Sequence, residues 1–288
     1  MSSATLVDPK NVREAVKRVT TIATLPEVTA KIIATVENPN STAAQLHRII
    51  SHDPALVTRI LKVVNSAFYG LPGQIGSIER AIVLLGLNAV KNIAVAASMG
   101  QMFRGAKLCD GYTAKDLWTH CVAVAIAARD LAKQSKLPIA DEAFLAGMIH
   151  DIGLLVSLQL YPEQLREVCE KAKGGGNFAE LERKIIGVDH QQLGMTLAEQ
   201  WKFPLACQMV AGHHHDPQKV ESDKRMLVMI VYLADTISCK AGLGFTLTAA
   251  TQTIEPADLV AMKIDPVWIE NTVAKLPELL AASSALMG

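Results

Sequence analysis

The chain is 288 residues long, enough for one large or two modest domains, each with its own core. Half of the residues are hydrophobic but only 5% are aromatic, a balance that favours close-packed helices over sheets. The 28 basic and 28 acidic residues cancel, so no overall field draws the protein to nucleic acid or anionic lipid.

Helix starts are marked along the chain by an acid before a proline. Asp8-Pro9, Asp53-Pro54 and Asp265-Pro266 each put a capping carboxylate ahead of a Pro at the first helical position. Leu25-Pro26 opens another helix, with Val28, Ile32, Ile33 and Val36 at helical spacing. Ser41 is expected to cap the segment carrying Leu46, Ile49 and Ile50, and Asp53 the one carrying Leu56, Val57, Ile60, Leu61, Val63 and Val64. The glycine-rich loop YGLPGQIGS punctuates the first half. After it, Ser77 caps SIERAIVLLG, Gly86 stops that helix, and Asn88 caps NAVKNIAVAASMGQMF. The stretch RGAKLCDGY is the candidate boundary between two helical subdomains, 1–105 and 106–288. Beyond it, helices are predicted at 113–134, 141–160, 163–172, 178–186, 190–201, 204–214 and 223–241. Lys173–Gly176 is a flexible connector, and an Asp-Pro-capped amphipathic helix near the end is expected to pack back on the core. Alternating strand patterns are almost absent, so the fold class is all-α.

Cysteines at 109, 121, 169, 207 and 239 are dispersed and form no C-x-x-C, as expected of reduced, buried thiols in a cytoplasmic protein. The segment MSSATLVDPKNVREAVKR has no apolar signal core, and charges interrupt the apolar stretches, so no membrane contact is expected.

Chemistry is concentrated at a few polar stations on apolar helices: His120, the pair His150-Asp151, His190, the run His213-His214-His215, and Asp235. Imidazole and carboxylate are suitable ligands for Zn, Fe and Mn, and a buried carboxylate needs a cation or a hydrogen-bond partner. Asp116 lies one turn before His120, but Thr113-x-x-Asp116 also reads as a capping box, which would commit it to backbone donors. His150 and Asp151 sit in FLAGMIHDIGLLVSL, where Gly147 and Gly153 leave space for another backbone or an ion. His190 follows Asp189, a helix cap, in a first turn that disfavours imidazolium. The three consecutive histidines point in three directions, so at most two can serve one site. Asp235 follows a run of apolar residues in MLVMIVYLADTISC.

These residues and their order resemble the HDOD domain, the HD-related output domain of bacterial signalling proteins. The likeness runs through LPEVTAKII and SHDPALVTRILKVVNSAFYGLPGQIGSIERAIVLLGLNAVKNIAV, then FLAGMIHDIG, DHQQLGMTLAEQW and VAGHHH. The resemblance implies an N-terminal helical bundle packed against an HD-like helical bundle. Members of that family look like degraded HD domains with incomplete metal ligands that act as regulatory modules. This chain is instead similar by position to the HD-GYP phosphodiesterases at His120, His150, Asp151, His190, His213, His214 and Asp235, a set able to hold one or two Fe, Mn or Zn ions. It departs from them at Leu154, where a lysine would meet phosphate, and after His214, where HisAspProGlnLys replaces the Gly-Tyr-Pro loop.

The expected function is a bacterial signal-transduction regulatory or output module acting through protein–protein contacts, with a metal-dependent phosphohydrolase as the alternative. A signalling protein is the expected partner; nucleic acid and cyclic di-GMP are not. The helix–turn–helix-like stretch Ser77–Gly100 would offer DNA only Lys91 and Asn92. Phe68, Tyr69, Leu71 and Ile75 are the candidate partner-binding residues, with packing beneath their loop as the other reading.

Overall fold

A computed structural model describes residues 9–18, 26–38 and 40–286. Asp8 and Leu25, and hence the helix-start signals that involve them, lie outside the described residues, as does the side chain of Val36. The fold is all-α. The first half holds α1 (Pro9–Arg18), α2 (Glu27–Glu37), α3 (Ala43–Ser51), α4 (Pro54–Val64), α5 (Ile78–Leu85) and α6 (Leu87–Met99). A short hairpin, β1 (Lys107–Cys109) and β2 (Tyr112–Thr113), follows, with an irregular antiparallel register. The second half holds α7 (Ala114–Gln134), α8 (Ala140–Ile149), α9 (Gly153–Leu160), α10 (Pro162–Lys173), α11 (Phe178–Ile185), α12 (His190–Gln200) and α13 (Leu205–His213). It closes with α14 (Arg225–Lys240), α15 (Pro256–Met262) and α16 (Pro266–Ala282).

Local chemistry sets most of these boundaries. The Asp53, Ser77 and Asp265 side chains each accept a hydrogen bond from a first-turn amide, as their sequence positions imply. Two starts differ from expectation. Thr42 caps α3, not Ser41, because Thr42 and Gln45 have the spacing of a reciprocal capping box; the Ser41 hydroxyl instead receives a hydrogen bond from Lys91 Nζ. Gly86, at φ +88°, both ends α5 and begins α6, which leaves Asn88 inside the first turn.

α6 is the axis of the first half. Every residue from Ala89 to Met99 is buried, with α2, α4 and α5 packed around it and α8 against it. Lys91 and Asn92 are therefore 2% and 5% exposed. In the second half α7, α8 and α14 pack together, with α9, α12 and α13 beside them. The halves interlock: α1 lies on α12, and the Ser284–Leu286 turn after α16 lies on α4 and α6. There the Leu286 carbonyl accepts the Trp118 indole N–H at 2.6 Å.

The continuous helix predicted over 141–160 is broken at His150–Ile152. The cause is close packing. A Cβ on Gly147 would stand 2.8 Å from Ala125 Cα, and one on Gly153 would overlap the His190 carbonyl and stand 2.6 Å from Gly194 N. Both glycines thus admit a neighbouring backbone, and α9 turns away from α8 to lie along α12. The segment Ala140–Leu160 has the length and mean hydropathy (1.6) of a membrane span, and 83% of its 18-residue apolar window is buried inside the fold. Its apolarity serves the core.

The four candidate partner-binding residues do not form an exposed edge. Ile75 is buried, and the Asn65 side chain clamps its backbone, accepting from Ile75 N at 2.7 Å and donating to Ile75 O at 2.9 Å. Phe68, Tyr69 and Leu71 are half-buried against the core. The Arg129 guanidinium lies 4.9 Å from the Phe68 ring centre and 4.4 Å from that of Tyr69, and pairs with Asp141 at 3.3 Å. Phe68 also meets Phe144, with ring centres 5.8 Å apart. Aromatic surface beside a buried cation is worth more as a seam than as an open edge. Arg129→Met, which keeps the stem and removes the charge, is expected to cost about 2 kcal/mol, read as a lower urea midpoint at unchanged m-value.

Candidate metal centre

The centre is built from five segments. The reciprocal Thr113–Asp116 box starts α7 and uses the Asp116 carboxylate as a cap, with Oδ2 2.7 Å from Thr113 N. His120 follows one turn later, fully buried. Gly244, at φ +71°, lets the chain pass so close that a Cβ there would meet the backbone at Asp116 and His120. The break between α8 and α9 presents His150 and Asp151. The Asp189 cap of α12, itself a reciprocal box with Gln192, places His190 in the first turn. The end of α13 supplies His214 and His215, and α14 supplies Asp235.

These side chains converge in two adjoining groups, His120, His150 and Asp235, and Asp151, His190, His214 and His215. Within each group one ligand atom per residue lies within 4.8 Å of the others. Asp151 spans the two: Oδ2 is 3.4 Å from His150 Nε2, and Oδ1 is 3.4 Å from His190 Nε2 and 3.3 Å from His214 Nε2. Asp235 Oδ1 lies 3.0 Å from His120 Nε2 and 4.0 Å from His150 Nε2. The sequence set is brought together with one exception. His213, the last residue of α13, is half-exposed and belongs to neither group, while His215 lies in the second. Where the helix ends, the backbone turns, so His214 and His215 face inward with ring centres 4.1 Å apart.

Carbonyls and carboxylates behind the rings aim them. His150 Nδ1 donates to Gly147 O at 2.8 Å and His214 Nδ1 to Val210 O at 3.1 Å, which leaves each Nε2 as a lone-pair donor facing the centre. His120 Nδ1 faces Leu243 O at 3.4 Å. His190 Nδ1 is held by the buried Glu182 carboxylate, which also accepts from His190 N at 2.9 Å. The Gln252 amide reaches Asp235 Oδ2 at 3.2 Å and His215 Nδ1 at 2.7 Å, tying the groups together. Glu182 and Gln252 are not singled out by the sequence, and His215 stands there in the histidine run but outside the expected ligand set. Glu182 sits in the charged run LERK, which reads as a solvated face; its place eight residues before His190 was the available signal. Gln252 carries no local signal.

The two carboxylates of the centre suit a cation, while without metal His150, although burial lowers it, is raised by Asp151 above the ordinary imidazole range. Burial pushes the Asp151 and Asp235 carboxyls up, but the neighbouring imidazoles overcome this and hold both well below the usual carboxylate range. Burial lowers His214 and His215, keeping them neutral and able to donate a lone pair. His190, although burial lowers it, is lifted to about 9 by Glu182. Among the described residues, His150 Nε2, His214 Nε2 and both Asp151 oxygens are buried without a hydrogen-bond partner. Orphaned groups of this kind are costly unless something joins them. Donors about 2.1 Å from a shared ion stand about 3.0–3.4 Å apart, which matches the Asp151 spacings. The donors present therefore fit divalent metal, with His120, His150 and Asp235 able to hold one ion, His190, His214 and His215 another, and Asp151 between them. A bound ion would supply Lewis acidity and would lower the pKa of coordinated water. Glu182→Gln is expected to weaken metal binding about 10- to 100-fold, measured by competition with a chelator, because it removes the charge that orients His190.

Comparison with known proteins agrees with this architecture. A protein of Treponema pallidum (strain Nichols), described as uncharacterized, is 28% identical over 224 residues, which is 76% of this chain and 43% of that protein. The chain thus spans less than half the length of that relative. A candidate signal transduction protein of Marinobacter aquaeolei VT8 superposes with a TM-score of 0.76 at 22% identity, over 99% of this chain and 68% of that one. A candidate phosphohydrolase of Shewanella amazonensis SB2B superposes with a TM-score of 0.72 at 22% identity, over 95% of this chain and 96% of that one. At these identities the two structures establish the shared fold. The sequence pattern of the HDOD domain matches residues 22–217, about two thirds of the chain, and on that match the protein belongs to the HDOD domain family.

Proposed function

We propose that this protein is a regulatory module of a signalling system, acting through contacts with a protein partner, and that its His/Asp centre is a closed metal site that stabilises the scaffold. One observation carries this reading. His120, His150, Asp151, His190, His214 and Asp235 are all 0% exposed, and the His215 side chain is 9% exposed. A hydrolytic centre needs an open coordination position and room for a phosphoester beside it. Leu154, where a phosphate-binding lysine would help, is itself buried at 0% exposure. Fe, Mn or Zn fits the nitrogen and oxygen donors, as one or two ions. The balanced charge and the burial of Lys91 and Asn92 favour a protein partner over nucleic acid. With no lysine at Leu154 and no Gly-Tyr-Pro loop, cyclic di-GMP is not the expected ligand.

The test combines elemental analysis with assays of cyclic di-GMP and bis(p-nitrophenyl) phosphate hydrolysis on protein loaded with Mn, Fe or Zn. Expected are bound metal, a raised Tm, and phosphoester turnover no faster than that of the free ion. Turnover on the order of 1 s⁻¹ or more that vanishes in Asp151→Asn would replace this reading with the phosphohydrolase one.

A further inference from the structure

Gln252 belongs to neither ligand group yet touches both. It sits in the segment 241–255, which follows α14 and returns across the centre. The first part of this segment is anchored: Phe245 N donates to Asp116 O at 3.0 Å, and Phe245, Leu247 and Ala249 are buried. The backbone is also pinned on either side of Gln252. Gln252 N donates to Ala249 O at 3.0 Å, and the Tyr232 hydroxyl donates to Thr253 O at 2.7 Å. With the backbone held, the Gln252 side chain is the part that can turn.

Solvent meets the ligand set at one edge. Of the seven residues in the two groups, six are 0% exposed, and His215 keeps 9% of its side chain in contact with solvent. Gln252, itself half-buried, lies on that residue. Its amide nitrogen carries two hydrogens and faces two acceptors, His215 Nδ1 at 2.7 Å and Asp235 Oδ2 at 3.2 Å. A carboxylate only accepts, so the nitrogen end of the amide must face Asp235, and His215 Nδ1 takes the other hydrogen. The oxygen end is held loosely: Oε1 is 3.5 Å from Thr236 Oγ1, which donates to Tyr232 O at 2.8 Å.

We propose that the Gln252 side chain is the gate of the metal centre, covering the solvent-facing edge of the ligand set and controlling the passage of a divalent cation in both directions. This rests on the reading that the His/Asp donors hold metal. With the amide in place, its two hydrogens occupy lone pairs on the outermost nitrogen and oxygen donors. Rotation about the Gln252 side-chain bonds uncovers His215 Nδ1 and Asp235 Oδ2 together, and no helix has to move. A gate differs in its kinetics from a residue that only orients ligands. It slows entry and exit alike, so its removal speeds both and leaves their ratio, the affinity, nearly unchanged. Loss of an orienting residue speeds exit alone and weakens binding.

The experiment uses the full chain with Zn²⁺ as the probe. Stopped flow follows release from the loaded chain into excess chromogenic chelator, and uptake by the apo chain from a weaker fluorescent indicator. Far-UV circular dichroism checks that each variant is folded. Gln252→Ala is expected to raise both rates at least about tenfold, a barrier change of about 1.4 kcal/mol, with Kd within about threefold of the parent chain. Tyr232→Phe frees Thr253 but keeps the ring, and should raise both rates by about threefold, an independent test of the same gate. Thr251→Ala, at the exposed neighbouring position, should leave both rates unchanged. Parent rates in folded Gln252→Ala, or in Tyr232→Phe should the alanine variant fail to fold, would overturn the gate. Faster release with uptake unchanged and Kd weakened in proportion would overturn it too, making Gln252 an orienting residue only. A parent chain that takes up no Zn²⁺, Mn²⁺ or Fe²⁺ would instead end the metal reading on which the gate rests.

Discussion

Asp151→Asn is expected to lower divalent-metal affinity by at least about a hundredfold and, in excess chelator, to cost about 3 kcal/mol of stability, a Tm drop of about 10 °C. Asp151 is placed to serve both ligand groups, facing His150 with one oxygen and His190 and His214 with the other, each at 3.3–3.4 Å. Asparagine keeps the shape but replaces an anionic donor with a neutral amide, one end of which carries hydrogens toward the lone pairs it should complement. Without metal, the charged form of Asp151 offsets buried imidazoles, and removing one partner of such a cluster leaves the others uncompensated. The pH dependence follows from the sign of the shift. A carboxyl held below its ordinary value of about 3.9 contributes stability above that pH and loses it as acid protonates the folded form. The deficit of Asp151→Asn should therefore be full at pH 6 and shrink in strong acid. Chelator competition and thermal unfolding at several pH values check both parts; an unchanged affinity would remove Asp151 from the centre.

Gly153→Ala is expected to be more damaging, costing on the order of 4 kcal/mol or preventing folding, because no flexible side chain can yield to the new methyl. The atoms in its way are the His190 carbonyl and the Gly194 amide nitrogen, both backbone of α12. Separating α9 from α12 would move His190 away from Asp151, so metal affinity should fall together with stability. Gly76→Ala is the control. It has open space at the Cβ position and an ordinary φ, so it should leave Tm unchanged or slightly raised. Urea unfolding of both variants beside the parent chain measures the contrast. A Gly153→Ala protein as stable as the Gly76→Ala protein would mean that α9 and α12 are not in backbone contact.

Much of this architecture was legible in the chain because its determinants are local. Asp53, Ser77, Asp189 and Asp265 cap their helices through hydrogen bonds to amides two or three residues away, and the Thr113–Asp116 box closes within one turn. The 3.6-residue apolar period identified the core faces, and polar residues within apolar helices marked His120, His150, Asp151, His190, His214 and Asp235.

Other features depend on groups distant in sequence, and only the tertiary structure decided them. His213 and His215 are chemically identical neighbours; the turn at the end of α13, packed against α12 and α14, selects His215. Glu182 looks like a surface acid until α11 folds over His190, and Gln252 reaches Asp235 only because the segment after α14 returns across it. Phe68 and Tyr69 look like an exposed edge until Arg129, some 60 residues on, stacks beneath them. Periodicity and capping report which side of a helix is buried; the partner across the interface is chosen by long-range packing, where the free energy of burial outweighs any local preference.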